Sequence, residues 1–257
     1  MLRRQWKSGV RIVAAAVLVL GGLASLPAEA QVVRVSRGDA RNTININFGY
    51  FSLPGAESRV DDDAIVPNLV DLARRSDLAN LEIGHFNNVT FGGEWLYGVT
   101  DYLEVGAGVG FYRKTVETAY ARETHEDQSD IAQDLKFRIV PMTATVRFLP
   151  LGRGAGIEPY VGVGIGLFSW RYTEIGEFID EDGFIFSNVE DPFDESGTAL
   201  GPVILGGLRA PLGDVWSLGG EIRWQKAEDD GLFEQGFLGD KIDLGGWTYN
   251  LTFGVRF

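Results

Sequence analysis

The sequence predicts an all-β fold, an eight-stranded antiparallel up-and-down barrel, and three observations predict it. Eight stretches alternate apolar and polar residues with the period of two that a strand imposes. The connections between those stretches run long, short, long, short, long, short, long. The polar face of the strands is made mostly of Gly, Thr, Ser and Asn, where a water-facing sheet would carry many Lys and Glu.

Each strand is justified by its pattern. Asn42–Leu53 puts Ile44, Ile46, Phe48 and Tyr50 opposite Asn45 and Asn47. Asn88–Tyr97 puts Val89, Phe91, Trp95 and Tyr97 opposite Thr90, Gly92 and Glu94. Asp101–Arg113 sets Leu103, Val105, Ala107, Val109 and Phe111 against Glu104 and three glycines. Ile139–Phe148 sets Val140, Met142, Ala144, Val146 and Phe148 against Thr143, Thr145 and Arg147. Glu158–Tyr172 sets Val161, Val163, Ile165 and Leu167 against Gly162, Gly164 and Gly166. Ala199–Leu208 is apolar on both faces, so its sides stay unassigned. Trp216–Gln225 sets Trp216, Leu218, Ile222 and Trp224 against Ser217, Glu221 and Arg223. The closing strand, from about Ile242 to Phe257, changes phase at Gly245–Gly246, where a bulge is expected.

The short connections are Gly98–Asp101, Leu149–Ile157 and Arg209–Val215. The long ones are about Pro54–Asn87, Lys114–Arg138, Thr173–Thr198 and Lys226–Lys241. They hold most of the charge: Thr173–Thr198 carries nine acidic residues and no Lys or Arg. A short helix is expected over Val66–Ala79, with Pro67 in its first turn. A small hairpin is expected over Phe178–Phe186, turning at Asp182-Gly183.

Residues 1–30 read as a signal peptide. Arg3, Arg4, Lys7 and Arg11 precede the uncharged run Ile12–Leu26, and Ala28–Ala30 supplies a small-x-small exit, so cleavage is expected after Ala30. Residues 31–257 are then the barrel. Losing four basic residues and one acidic one takes the net charge from -13 to about -16, which argues against nucleic acid or anionic lipid as a general partner. The chain has no Cys, so no disulfide contributes.

Two features decide which way the greasy face points. The few charges on the polar face, Glu94, Glu104, Arg147, Glu221, Arg223 and Arg256, are of both signs and suit a narrow lumen in which they pair as a plug. Aromatic residues fall in two belts: Tyr97, Tyr102, Phe148, Tyr160, Trp216 and Phe257 near the short turns, and Phe111, Tyr112, Trp170, Tyr172, Trp224 and Trp247 towards the long connections. Two belts about ten residues apart match the two interfaces of a membrane. The expected fold is therefore a transmembrane β-barrel with short periplasmic turns and long acidic extracellular loops.

On these residues the chain resembles the small outer-membrane β-barrels of the OmpA/OmpX type, the outer-membrane β-barrel domain family. The ending Tyr249–Phe257 resembles that class's assembly signal, carried here by Trp247, Tyr249, Leu251, Phe253, Val255 and Phe257. The resemblance implies the bacterial outer membrane as the location. It implies lipid and lipopolysaccharide as surroundings, the barrel assembly machinery as a partner, and an extracellular partner for the loops.

Catalytic chemistry is not expected. Residues 31–257 hold only His85 and His125, and neither sits two residues from a Ser as in lipid-modifying barrels. The glycines of Gly106–Gly110 and Gly162–Gly166 recur every second residue within strands, not as a phosphate loop opening a helix. No cofactor or metal site is expected, because Asp61–Asp63, Asp180–Gly183 and Glu190–Glu195 lack calcium-loop spacing. The leading expectation is a non-enzymatic outer-membrane barrel working through its outer loops. The alternative is a narrow porin-like or OmpW-like channel for small molecules.

Overall fold

The computed structural model describes residues 41–76, 79–180, 182–232 and 237–257. The expected signal peptide lies outside the described residues.

Eight long strands form the wall: β1 Asn42–Ser52, β2 Asn88–Gly98, β3 Leu103–Thr124, β4 Asp130–Phe148, β5 Glu158–Ile179, β6 Phe193–Leu212, β7 Trp216–Gln225 and β8 Gly246–Arg256. Each pairs antiparallel with its sequence neighbours, and β1 pairs β8 from Thr43↔Arg256 to Ser52↔Trp247, which closes the ring. Closure leaves no free sheet edge over the height shared by all eight strands, as an up-and-down barrel requires.

Burial is inverted relative to a water-soluble protein. The apolar rows are exposed: Phe48 is 62% exposed, Val163 61% and Leu251 59%. The ionic residues are inside: Glu104 is 0% exposed and Arg147 1%. A continuous apolar wall of this extent is stable only against hydrocarbon, because in water it would drive association. On β6, which is apolar on both faces, parity settles the sides. Leu200, Ile204 and Leu208 face outward, while Val203, Leu205 and Arg209 face inward.

The wall is uneven in height. β3 to β6 run 19 to 22 residues, whereas β1, β2, β7 and β8 run 10 or 11. Two of the expected long acidic loops are therefore largely strand. Lys114–Arg138 continues the β3–β4 ladder to Thr124↔Asp130, and much of Thr173–Thr198 continues β5 and β6, paired to Glu174↔Phe193. Charged residues do not stop a strand whose outer face meets water above the membrane. The expected hairpin is present, with Ile185–Ser187 paired back onto Glu177–Ile179 around Gly183 at φ +82°.

The expected helix shrinks to Asn68–Asp71, followed at once by a short strand, Leu72–Arg74, on β3. Packing of Leu72 and Ala73 into the barrel mouth overrides the helical pattern. The expected bulge in the last strand is instead a break. Ile242–Asp243 pairs with Glu228–Asp229, and β8 begins at Gly246, where φ is +155°. A Cβ there would lie 2.6 Å from the Ser52 carbonyl oxygen, so only Gly suits the position.

The interior has two halves. On the long-hairpin side an apolar core joins wall residues (Phe51, Phe137, Phe168) to residues of the first and last connections (Ile65, Phe86, Leu244). The half nearer the short turns is ionic.

Candidate functional site

The lumen holds the charged residues in two layers. In the upper layer Arg147, from the end of β4, donates through Nη2 to Glu94 of β2 at 2.6 Å and to Glu221 of β7 at 2.7 Å. Arg223 donates to the other oxygen of Glu221 at 2.9 Å and lies 3.5 Å from Glu94. Tyr160 lies under the Arg147 guanidinium, 4.7 Å from ring centroid to Cζ, and its hydroxyl donates to Glu221 at 3.2 Å. The layer is neutral, two arginines against two glutamates.

The lower layer lies next to the short turns. Arg209 of β6 donates to Glu104 at 2.8 Å and to Glu158 at 2.8 Å. Arg256 also donates to Glu158, and Arg153, folded up from the β4–β5 turn, donates to Glu104. Three arginines thus meet two carboxylates, all at most 5% exposed at the side chain. Buried charges persist only when paired in this way.

The layers exist because of strand parity. Period two sends every second residue inward, and Gly and Thr at the neighbouring inward positions leave room for long arginine side chains. At Gly164 an added Cβ would lie 2.1 Å from the Ala144 carbonyl oxygen, so β5 approaches β4 too closely there for any side chain. Above the upper layer a cavity of about 40 Å³ remains, lined by Asn47, Thr90, Glu94, Arg223, Gln225 and Asn250. That is room for about two or three water molecules. Asn47 Oδ1 and Glu94 Oε1 are buried there without a hydrogen-bond partner among the described residues.

All six charged residues singled out in the sequence point into the lumen. Glu94, Arg147, Glu221 and Arg223 meet in one layer, and Glu104 and Arg256 belong to the other. Glu158, Arg209 and Arg153 are the residues that sequence reading overlooked. Glu158 shares even parity with Gly162–Gly166, which was a usable signal. Arg209 sits at the end of a strand with no legible phase, and Arg153 lies in a turn.

Four expected belt aromatics point inward instead. Tyr160, Trp170 and Tyr172 share the inward parity of Gly162–Gly166, and Tyr112 that of Gly106–Gly110; all four are at most 3% exposed. The Trp170 Nε1–H donates to Asp229 at 2.8 Å, and the Tyr172 hydroxyl to Glu174 at 2.8 Å. Tyr97, Tyr102, Phe148, Trp216 and Phe257 do face outward near the short turns, and Trp247 does so at the other end. Of the closing residues, Tyr249, Leu251 and Phe253 are exposed on the same outer wall, and Val255 is half-buried.

Among the described residues neither histidine ring hydrogen-bonds a serine hydroxyl. His125 Nε2 lies 3.0 Å from Glu177, while the Ser129 hydroxyl donates to Asp127 at 2.6 Å. His85 Nδ1 accepts the Glu82 amide at 3.0 Å.

Residues 15–257 match the family model described as outer membrane protein beta-barrel domain. The chain belongs to that family. An outer-membrane barrel of this family resides in the bacterial outer membrane. Among solved structures it is similar to the outer membrane protein OprG from Pseudomonas aeruginosa. The TM-score is 0.50 at 15% identity, over 85% of this chain and 96% of that one. The Neisserial surface protein A is similar at TM-score 0.41 and 12% identity, over 84% and 97%. The N-terminal β-barrel domain of P. aeruginosa OprF gives TM-score 0.38 and 14% identity, over 85% and 99%. These likenesses concern the fold. No curated protein matches the sequence.

Proposed function

We propose that this outer-membrane barrel is non-enzymatic, does not conduct along its axis, and acts at the cell surface through the tall wall formed by β3 to β6. The observation that carries the reading is the double obstruction of the lumen. Arg147 bridges Glu94 and Glu221 across the ionic half, and the first connection seats Ile65 and Phe86 in the apolar half. A path for ions would have to break buried ion pairs and then cross a packed apolar layer. Both steps are costly.

The surface role is supported by the height of β3 to β6, which extends about twice as many residues as the rest of the wall. A non-enzymatic role is supported by the partners of His125 and Ser129: the imidazole meets Glu177 and the Ser129 hydroxyl donates to Asp127. Planar-bilayer recording tests the closed lumen. The wild type is expected to give no steady steps, and Arg147→Ala with Arg223→Ala to open a measurable conductance only when Asp63→Ala also loosens the first connection that seats the apolar layer. Steady steps in the wild type would establish the narrow-channel alternative. A change in lipid A composition on overexpression would overturn the non-enzymatic reading.

A further inference from the structure

Three arginines stand side by side on the outer wall. Arg113 of β3 pairs with Arg138 of β4, and Arg138 pairs with Arg171 of β5. All three are exposed. Lys136 follows two residues from Arg138, opposite Thr115 and Thr173. Directly opposed residues in an antiparallel sheet have Cα atoms about 5 Å apart, and like charges so placed repel. Arg171 is offset through a two-pronged ion pair to Asp194 of β6, whose charge also reaches Arg138 from further off. No carboxylate among the described residues lies within ion-pairing distance of Arg113 or Arg138.

The height of the row on the wall gives it meaning. On β3 the outward residues from Leu103 to Phe111 are apolar, and Arg113 is the next. On β4 the outward run from Phe148 back to Val140 is apolar, and Arg138 is the next. On β5 Arg171 follows Ser169 above Val161–Leu167. The arginines therefore mark the upper edge of the lipid-facing band on three adjacent strands. Four residues further up, the outer face turns acidic at Glu117 and Asp134, themselves opposed.

We propose that Arg113, Arg138 and Arg171, with Lys136 beside them, form a binding site for the phosphate groups of a lipid headgroup in the surrounding leaflet. Guanidinium groups bind phosphate oxygens in pairs, and a shared anion converts repulsion between neighbouring arginines into attraction. The chain's strong negative charge otherwise repels anions, so a local cationic row at the interface is a selective feature. The apolar wall below it receives the acyl chains of the same molecule, which distinguishes a lipid from a free anion. The proposal rests on the outer-membrane placement of the barrel.

The test uses the protein in phosphatidylcholine nanodiscs doped with bis-phosphorylated lipid A or its dephosphorylated form, with lipid retention counted by native mass spectrometry. The wild type is expected to retain the phosphorylated form preferentially. The triple variant R113Q/R138Q/R171Q is expected to bind it roughly 100-fold more weakly, given the contribution of each basic residue near an anionic surface. Unchanged melting of that variant in pure phosphatidylcholine shows that it folds. D194N, which frees Arg171, is expected to strengthen retention. Equal retention by wild type and triple variant, or no preference for the phosphorylated form, would overturn the site. Equal thermal stabilisation of the wild type by inorganic phosphate alone would overturn the lipid as its ligand. A wild type that fails to insert into phosphatidylcholine at all would instead overturn the barrel placement beneath the proposal.

Discussion

Arg147 and Glu221 are 74 residues apart in sequence, on strands that are not neighbours in the barrel, and meet across the lumen at 2.7 Å. The pair holds β4 to β7 through the interior, and with Glu94 it links three strands at one point. Removing the arginine leaves two buried carboxylates with Arg223 as the one counter-charge left in their layer.

Arg147→Ala is accordingly expected to destabilise the barrel by about 3–5 kcal/mol. Urea unfolding in lipid, followed by tryptophan fluorescence, measures it. The combined variant E94Q/R147M/E221Q/R223M removes all four charges of the layer at once and is expected to recover most of that loss. If the single variant unfolds at the wild-type urea concentration, the lumen pairs contribute nothing.

Glycine positions on the two faces of the wall should respond in opposite ways. Gly164→Ala places a Cβ 2.1 Å from the Ala144 carbonyl oxygen and is expected to cost roughly 1–3 kcal/mol, as overpacking does. Gly206→Ala meets nothing closer than 3.7 Å on the outer wall and is expected to fold like the wild type. Comparing folded fractions by heat-shifted gel migration would reverse the argument if Gly206→Ala proved the more damaging.

Glu174 is held above the membrane band, where its carboxyl accepts from Asn68 at 2.7 Å and from Tyr172 at 2.8 Å. Burial is the largest influence on it and raises its pKa to about 7 from 4.5. The folded state therefore binds the proton more tightly than the unfolded one. The contribution of Glu174 to stability is fully present below about pH 4.5, falls as pH rises from there to about 7, and is flat above; its full span is on the order of 3 kcal/mol. Glu174→Gln is expected to remove this slope and to stabilise the protein at pH 8, read by urea unfolding across pH. A slope that persists in the variant would assign it to another group.

Asp63 anchors the first connection over the barrel mouth. It accepts from Arg59 at 3.0 and 2.8 Å, from the Ile65 amide at 3.0 Å and from the Asp243 amide at 2.8 Å. Asp63→Ala is expected to accelerate hydrogen exchange at Ile65 and Asp243 by tenfold or more while leaving the β1–β8 ladder protected. Uniform acceleration through the barrel would mean that the cap and the wall open together.

The sequence by itself determined the outward-facing rows of every wall strand except β6, which is apolar on both faces. Side-chain alternation is a local property of an extended backbone, so Phe48, Val163 and Leu251 could be placed outward, and Glu94 and Arg147 inward, without knowing their neighbours. The same rule would have turned Tyr160, Trp170 and Tyr172 inward, had parity been weighed above the frequency of aromatics at interfaces. Tertiary structure alone decided the rest. Which arginine meets which glutamate depends on strand register and on closure of β1 with β8, and both join residues far apart in the chain. The height of β3 to β6 was hidden because charge on an exposed strand reads like charge on a loop. The row Arg113–Arg138–Arg171 is legible only once three strands lie in register, since no spacing within the chain relates residues 113, 138 and 171.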